Sequence, residues 1–288
     1  MDVFEEHRPL LEGIAYRMCG VHADARDLVQ ETHIQWCAAD RAAIRDPRAW
    51  LVTTCSRLAI DMLRSAHRRR MSYVGTWLPE PLVDEAAPTP AEALEIDESV
   101  SLALMVALER LSPAERAVFI LHDLFGYRFE EIGPMVSRSE PACRKLASRA
   151  RRAVQSERPR FEATAEMHRD LHAAFLEAAR HGDLDGLASL LTESVALHTD
   201  GGGHVEALTS VLRGRRAVSK FFIGIWRTHF TPADDVEVVH RWFNGSPGTL
   251  VFKDGALVVS LDFAIEDGSI QSIYALRNPE KLTAFGYS

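Results

Sequence analysis

Three Asx-Gly dipeptides within 25 residues constrain this chain most: Asn244-Gly245, Asp254-Gly255 and Asp267-Gly268. Each separates two runs rich in β-branched and aromatic residues: Val236–Phe243, Thr249–Lys253, Leu257–Ile265 and Ile270–Leu276. A two-residue Asx-Gly loop carries the backbone twist that joins antiparallel strands, so the pattern predicts consecutive hairpins. Upstream lie helical stretches at Leu171–Ala179, Leu184–Leu191 and about Arg215 to Trp226. They are interrupted by a strand-like Val195–Thr199 and the turn Asp200-Gly201-Gly202-Gly203. Helices first and an antiparallel sheet afterwards make residues 165–288 an α+β domain with helices on one face.

The first half has a different period. Leu11, Ile14, Ala15 and Met18 form one apolar stripe at helical spacing. Ala25, Leu28, Val29, Thr32 and Trp36 form the next, and Leu51, Cys55, Leu58 and Met62 a third. Residues 1–70 therefore read as a small helical bundle. Residues 101–160 are helical again. Ser112-Pro113 marks a helix start, with a capping residue followed by proline at the first position. Between the two, residues 71–100 hold seven acidic residues, no lysine or arginine and four prolines, which reads as a linker. Trp77-Leu78-Pro79-Glu80-Pro81 puts large apolar side chains into it, and these need a docking surface.

Charge is distributed by module. The whole chain carries a formal −8, yet residues 101–160 carry +4. Residues 138–160 hold eight basic and two acidic residues. A short helix with Ile132, Met135 and Val136, a turn at Ser137-Arg138, and a longer helix with Cys143, Leu146, Ala147, Ala150 and Val154 form a helix-turn-helix candidate. On its second helix Lys145, Ser148, Arg149 and Arg152 share the face opposite the apolar stripe, with Arg144 beside them, as reading a DNA groove requires. A solvated basic helix face is the competing reading.

Several functions are excluded. No uncharged apolar run approaches the ~18 residues of a membrane span. The acidic start Met1–Glu6 lacks the order of a secretion signal, so a soluble cytoplasmic protein is expected. The four cysteines are spread along the chain and read as buried free thiols. His33 and Cys37 have helical ligand spacing, but no second pair completes a metal site. No metal or cofactor is expected.

In sequence order, three sets of residues resemble bacterial sigma factors of the extracytoplasmic-function (ECF) group. Asp24–Thr32 resembles the polymerase-docking helix. Asp46-Pro47-Arg48-Ala49-Trp50-Leu51 and Asp61-Met62-Leu63-Arg64 resemble the promoter-melting segment. Leu111–Phe119, Phe129–Gly133 and Arg149–Arg152 resemble the upstream-element-binding domain. The resemblance implies two all-α sigma domains, 1–70 and 101–160. It implies core RNA polymerase, through its β′ and β subunits, and promoter DNA as partners. Asp27, Gln30 and Glu31 would grip polymerase. Asp61, Arg64, Arg68 and Arg69 would contact the downstream element, and the loop around Asp40–Arg48 would capture a flipped base. Arg57, Arg128 and Pro134 depart from the family pattern.

The second half resembles the SnoaL-like, or NTF2-like, cone of a sigma-J-like subgroup. The resemblance rests on Trp77–Pro81, Asp200–His204 and Asn278-Pro279-Glu280-Lys281-Leu282. It implies a fused regulatory domain with Trp77, Leu78, Pro79, Asp200, Gly201, Gly202, Asn278, Pro279 and Leu282 at its contacts. Because linker and cone are both acidic, their docking is expected to be apolar. Cones of this kind can be enzymes, and His198, Asp200, His240 and Asp262 are the acid–base candidates. The simpler reading is that Asp200 caps a glycine turn and the histidines are structural, leaving no catalytic residue. The alternative function is a cone-fold enzyme or small-ligand sensor fused to a DNA-binding module.

Overall fold

The computed structural model describes residues 3–70, 73, 75–83, 100–155, 163–231 and 233–287, without the side chains of 66–70. The chain forms two compact units, residues 1–72 with 105–157 and residues 73–104 with 158–288.

The first unit is helical. Helices α1 (Val3–Cys19), α2 (His22–Ala38) and α3 (Pro47–Arg70) pack together. The first two stripes are buried as expected. On α3 the stripe is rotated: Leu58 and Met62 are half-buried, while Val52, Ala59 and Leu63 join Leu51 and Cys55 in the core. Cys37 is exposed rather than buried, because Trp36 takes the inward position on α2. After α4 (Leu102–Leu108), α5 (Pro113–Phe119) starts at a complete capping box. The Ser112 side chain accepts from the Glu115 N–H, and the Glu115 carboxylate accepts from the Ser112 N–H. The helix-turn-helix follows as α6 (Phe129–Val136) and α7 (Glu140–Gln155), joined through Ser137 in the left-handed conformation. Arg128 supplies no side-chain cap to α6, but its own N–H is capped by Glu131 at 2.7 Å. Pro134 does not end α6, which runs two residues further.

Arg116 on α5 is 1% exposed. Its guanidinium donates to the Arg17 carbonyl and pairs with Glu109, and burial pushes its pKa down to about 10. It ties α5 to the end of α1 from inside the core.

The second unit is α+β. Its helices are α8 (Ala165–His181), α9 (Leu184–Ser189) and α10 (Arg215–His229). Its strands are β1 (Leu191–Asp200), β2 (Leu212–Arg213), β3 (Val236–Phe243), β4 (Ser246–Lys253), β5 (Ala256–Glu266) and β6 (Ser269–Leu276), in the sheet order β2-β1-β6-β5-β4-β3. The three Asx residues of the hairpin turns have φ near +50°, as the tight turn demands. β1 lies parallel to β6, and every other pairing is antiparallel. One sheet face, with Val195, Leu197, Leu261, Phe263, Ile273 and Ala275, packs on Leu171, Phe175, Leu187 and Val218 of the helices. After β6 comes a short helix α11 (Pro279–Leu282), capped by Asn278, and then a 3-10 turn at Thr283–Phe285.

Candidate functional site

On α2, positions 25, 28, 29, 32 and 36 face the core, which leaves Asp27, Gln30 and Glu31 exposed together. Ile34 completes this face at the next turn and is 54% exposed, the most exposed of the large apolar side chains among the described residues. The sequence reading missed it. Its signal is an apolar residue out of phase with the buried stripe.

On α7 the same logic holds. Cys143, Leu146, Ala147, Ala150 and Val154 are buried, and Arg144, Lys145, Ser148, Arg149 and Arg152 are exposed. Their environments differ. Arg144 is held by Glu140 at 2.6 Å and lies over the Phe129 ring. Arg149 faces the capping carboxylate of Glu115 at 3.4 Å. Lys145 makes no ion pair among the described residues.

Asp61 and Arg64 on α3 are exposed and paired with each other at 2.7 Å. The side chains of Arg68 and Arg69 lie outside the described residues. Beside the start of α3 is an open cavity of about 660 Å³ lined by Asp40, Ala43, Ile44, Trp50, Thr53 and Arg57. Two departures from the family pattern meet at its edge: the Arg57 guanidinium donates to the Pro134 carbonyl at 2.8 Å.

In the second unit the linker is fastened to the sheet at Asp200, which is fully buried. One carboxylate oxygen accepts from the Tyr73 hydroxyl (2.6 Å) and the Gly202 N–H (2.9 Å). The other accepts from the Leu78 N–H (2.9 Å) and Lys281 Nζ (2.7 Å). Lys281 also donates to the Leu78 carbonyl and lies 4.3 Å from the Trp77 ring centre. Asn278 donates to Tyr73 and packs so close to Gly202 that a Cβ there would sit 2.5 Å from it. Gly201 is equally constrained, with the Val205 carbonyl 2.4 Å from its Cβ position. Burial and the neighbouring Asp200 carboxylate push the Tyr73 phenol well above its ordinary range.

This corrects the expectation of a purely apolar docking. Leu78, Pro79 and Pro81 are buried and Trp77 half-buried, but a buried ion pair and backbone donors anchor them. Net charge per module missed this, because one lysine from the chain's own end neutralises the one carboxylate that matters. Leu282 is buried. Pro279 is exposed and acts as the first residue of α11 rather than as a contact. A second fastening went unseen in the sequence: buried Asn244, in a hairpin turn, accepts from the Leu82 N–H and donates to the Val100 carbonyl.

The four acid–base candidates do not come together. Leu261 and Phe263 face the helices, so Asp262 points to the opposite face, where its register partner Tyr274 stacks with His198. Asp200 ends β1 on that same face, away from the helices. His240 lies on the helix side, 3.0 Å from the Thr249 hydroxyl, which also meets His172 at 2.9 Å. His172 stacks flat on Phe263 and, with His168, went unnoticed in the sequence. Burial lowers both histidines, His168 to about 4. Burial raises Asp262 to about 8, against the opposing Phe263 N–H.

A carboxyl raised by folding keeps its full contribution to stability only below the unfolded-state pKa, and loses it progressively as pH rises from there toward the folded pKa. Relative to Asp262→Asn, the unaltered protein should therefore lose about 1.4 kcal/mol of stability per pH unit between pH 5 and 7. Urea unfolding of both proteins across that range checks this. A pH-independent difference would contradict a protonated Asp262.

Among the described residues no group of three or more His, Cys, Asp or Glu could hold a metal ion. No helix there is long and apolar enough to cross a membrane.

The chain is similar to known proteins. The chain matches the family model for sigma-70 region 2 over residues 3–69 and that for sigma-70 region 4 over residues 101–154. It is 36% identical to the ECF RNA polymerase sigma factor SigJ of Mycobacterium tuberculosis, over 97% of this chain and 92% of that protein. It is 34% identical to the probable ECF RNA polymerase sigma factor SigI of the same species, over 96% and 92%. The crystal structure of M. tuberculosis SigJ matches with a TM-score of 0.77 at 34% identity, covering 99% of both chains.

Proposed function

The chain belongs to the extracytoplasmic-function RNA polymerase sigma factors, and on that premise we propose how its parts divide the work. α2 docks on core polymerase, through the β′ subunit, with Asp27, Gln30 and Glu31 around Ile34. Asp61, Arg64, Arg68 and Arg69 of α3 contact the downstream promoter element. The cavity beside α3 receives an unstacked base. α7 reads the upstream element with Lys145, Ser148, Arg149 and Arg152, while Arg144, already engaged by Glu140 and Phe129, braces the helix. The C-terminal unit regulates initiation through its hold on residues 73–83, and it catalyses nothing. The protein works in the cytoplasm, where the polymerase is.

The observation that carries this reading is α7, with one face buried against α5 and α6 and the other exposing Lys145, Ser148, Arg149 and Arg152. Exposed guanidinium and ammonium groups in that geometry neutralise phosphates or bond base edges. Lys145→Ala and Arg149→Ala should each weaken holoenzyme binding to promoter DNA by ~1–3 kcal/mol where a base is read. Where a phosphate is held, each should reduce the salt dependence by about one unit of slope. Equal affinity and equal salt dependence in both variants would remove α7 from the interface.

Against catalysis stand the commitment of Asp200 to four donors around the linker and the place of His240 on the sheet face opposite His198 and Asp262. General acid–base work needs groups converging on one substrate. Turnover of a steroid-like or polyketide-like compound, lost on changing Asp262 or His198, would overturn that part of the reading.

A further inference from the structure

β1, β4 and β6 run in the same direction, so their carboxyl ends lie at the same end of the sheet. At that end Thr199, Lys253 and Arg277 line a cavity of about 490 Å³ between the sheet and α10. Binding cavities for small molecules typically span roughly 300–1,000 Å³. The interior is apolar: Leu176, Phe222, Trp226, Val259, Leu261 and Ala275 are among its walls. Every residue of α10 from Phe221 to Trp226 is only half-buried, so the cavity keeps aromatic surface in contact with water.

Glu206 and His229 also line the cavity, and the other polar groups of the lining are not equivalent. The Thr199 hydroxyl is occupied by the Leu208 backbone. Lys253 is neutralised by Asp234 at 3.1 Å and donates to the His229 carbonyl. Arg277 pairs with no carboxylate among the described residues and gives one N–H to the Glu206 carbonyl. It is half-buried, and burial pushes its pKa down, with Glu206 only partly offsetting this. A cation in that position gains from an anion that enters with its own apolar body, since the charge-assisted bond forms where water is scarce.

We propose that this cavity binds an apolar carboxylic acid of fatty-acid type, with the chain among the aromatic residues of α10 and the carboxylate on Arg277. The walls at Glu206–Leu208 follow directly on the glycine turn that holds Asn278. A bound acid therefore sits one loop away from the fastening of the linker.

The test is calorimetric titration of the intact protein with decanoate and, separately, with 1-decanol. Decanoate should bind saturably, one per chain. Arg277→Gln should weaken decanoate by at least about tenfold, the worth of a bond to a charged group, and leave decanol within twofold. Val259→Trp, and independently Ile225→Trp, should abolish both by filling the cavity, with circular dichroism checking the fold. Absence of saturable decanoate binding would overturn the proposal. So would decanol binding as tightly as decanoate, decanoate affinity unchanged in Arg277→Gln, or binding that survives whichever tryptophan variant is folded.

Discussion

Asp200→Ala is expected to cost the C-terminal unit about 3–5 kcal/mol, the usual penalty for removing one partner of a buried ion pair. The carboxylate has four donors and no exposure. Its loss leaves the Lys281 ammonium buried without a counter-charge, and strips acceptors from the Tyr73 hydroxyl and the Leu78 N–H. The linker should then come away from the sheet, so proteolysis between residues 73 and 83 should accelerate. Exchanging both members for apolar residues, Asp200→Leu with Lys281→Met, should recover part of the loss, because no unpaired charge remains. Trp77→Ala removes a half-buried ring, with its contact to Lys281, and should cost less. Chemical unfolding followed by two probes, with proteolysis in parallel, measures all of these. A cost below about 1 kcal/mol for Asp200→Ala, the size of an exposed pair, would mean that the linker is held by apolar contact alone. If transcription in vitro is the same for Asp200→Ala, Trp77→Ala and the unaltered protein, the fastening has no regulatory role.

The second large effect concerns polymerase. Reversing Asp27 and Glu31 to lysine together should lower affinity for core polymerase about a thousandfold or more. Each reversal turns an attraction at a docked surface into repulsion, and two such losses exceed ~4 kcal/mol. Both side chains are exposed, so stability should stay within about 0.5 kcal/mol. Ile34→Ala should weaken docking without a charge change, and its effect should not depend on salt. Native mass spectrometry of the holoenzyme with circular dichroism of the free protein separates docking from folding. A double reversal that still assembles would move the docking surface elsewhere.

What could be read from the residues depended on how local the cause was. The hairpins were legible because each Asx-Gly pair alone specifies a turn. The α7 basic face was legible because a helix of 16 residues keeps its phase. The α3 stripe drifted by a residue because its apolar positions are crowded enough to fit two phases, and packing against α1 and α2 chose between them. Cys37 was misjudged by type, since cysteine is often buried, whereas the neighbouring tryptophan claims the inward position. The parallel pairing of β1 with β6 has no local signal, because the two strands are 68 residues apart at their nearest ends. For the same reason the Asp200–Lys281–Leu78 cluster was invisible as a unit. Its members lie in three segments, and only their sequence motifs, not their chemistry, pointed to one another. Asp262 was one of four acid–base candidates only because cones of this kind can be enzymes. Strand alternation puts it on the face away from the helices, where burial holds the proton on it.

Core RNA polymerase mixed with the intact protein, given a template library with randomised promoter sequence, tests the whole account when the initiated transcripts are sequenced. The account predicts enrichment of a two-block promoter motif. The upstream block should blur in Lys145→Ala and Arg149→Ala, the downstream block in Arg64→Ala, and all initiation should vanish in Asp27→Lys with Glu31→Lys. Transcripts that show no enriched motif with the intact protein, or the same motif at the same yield in every variant, would contradict it.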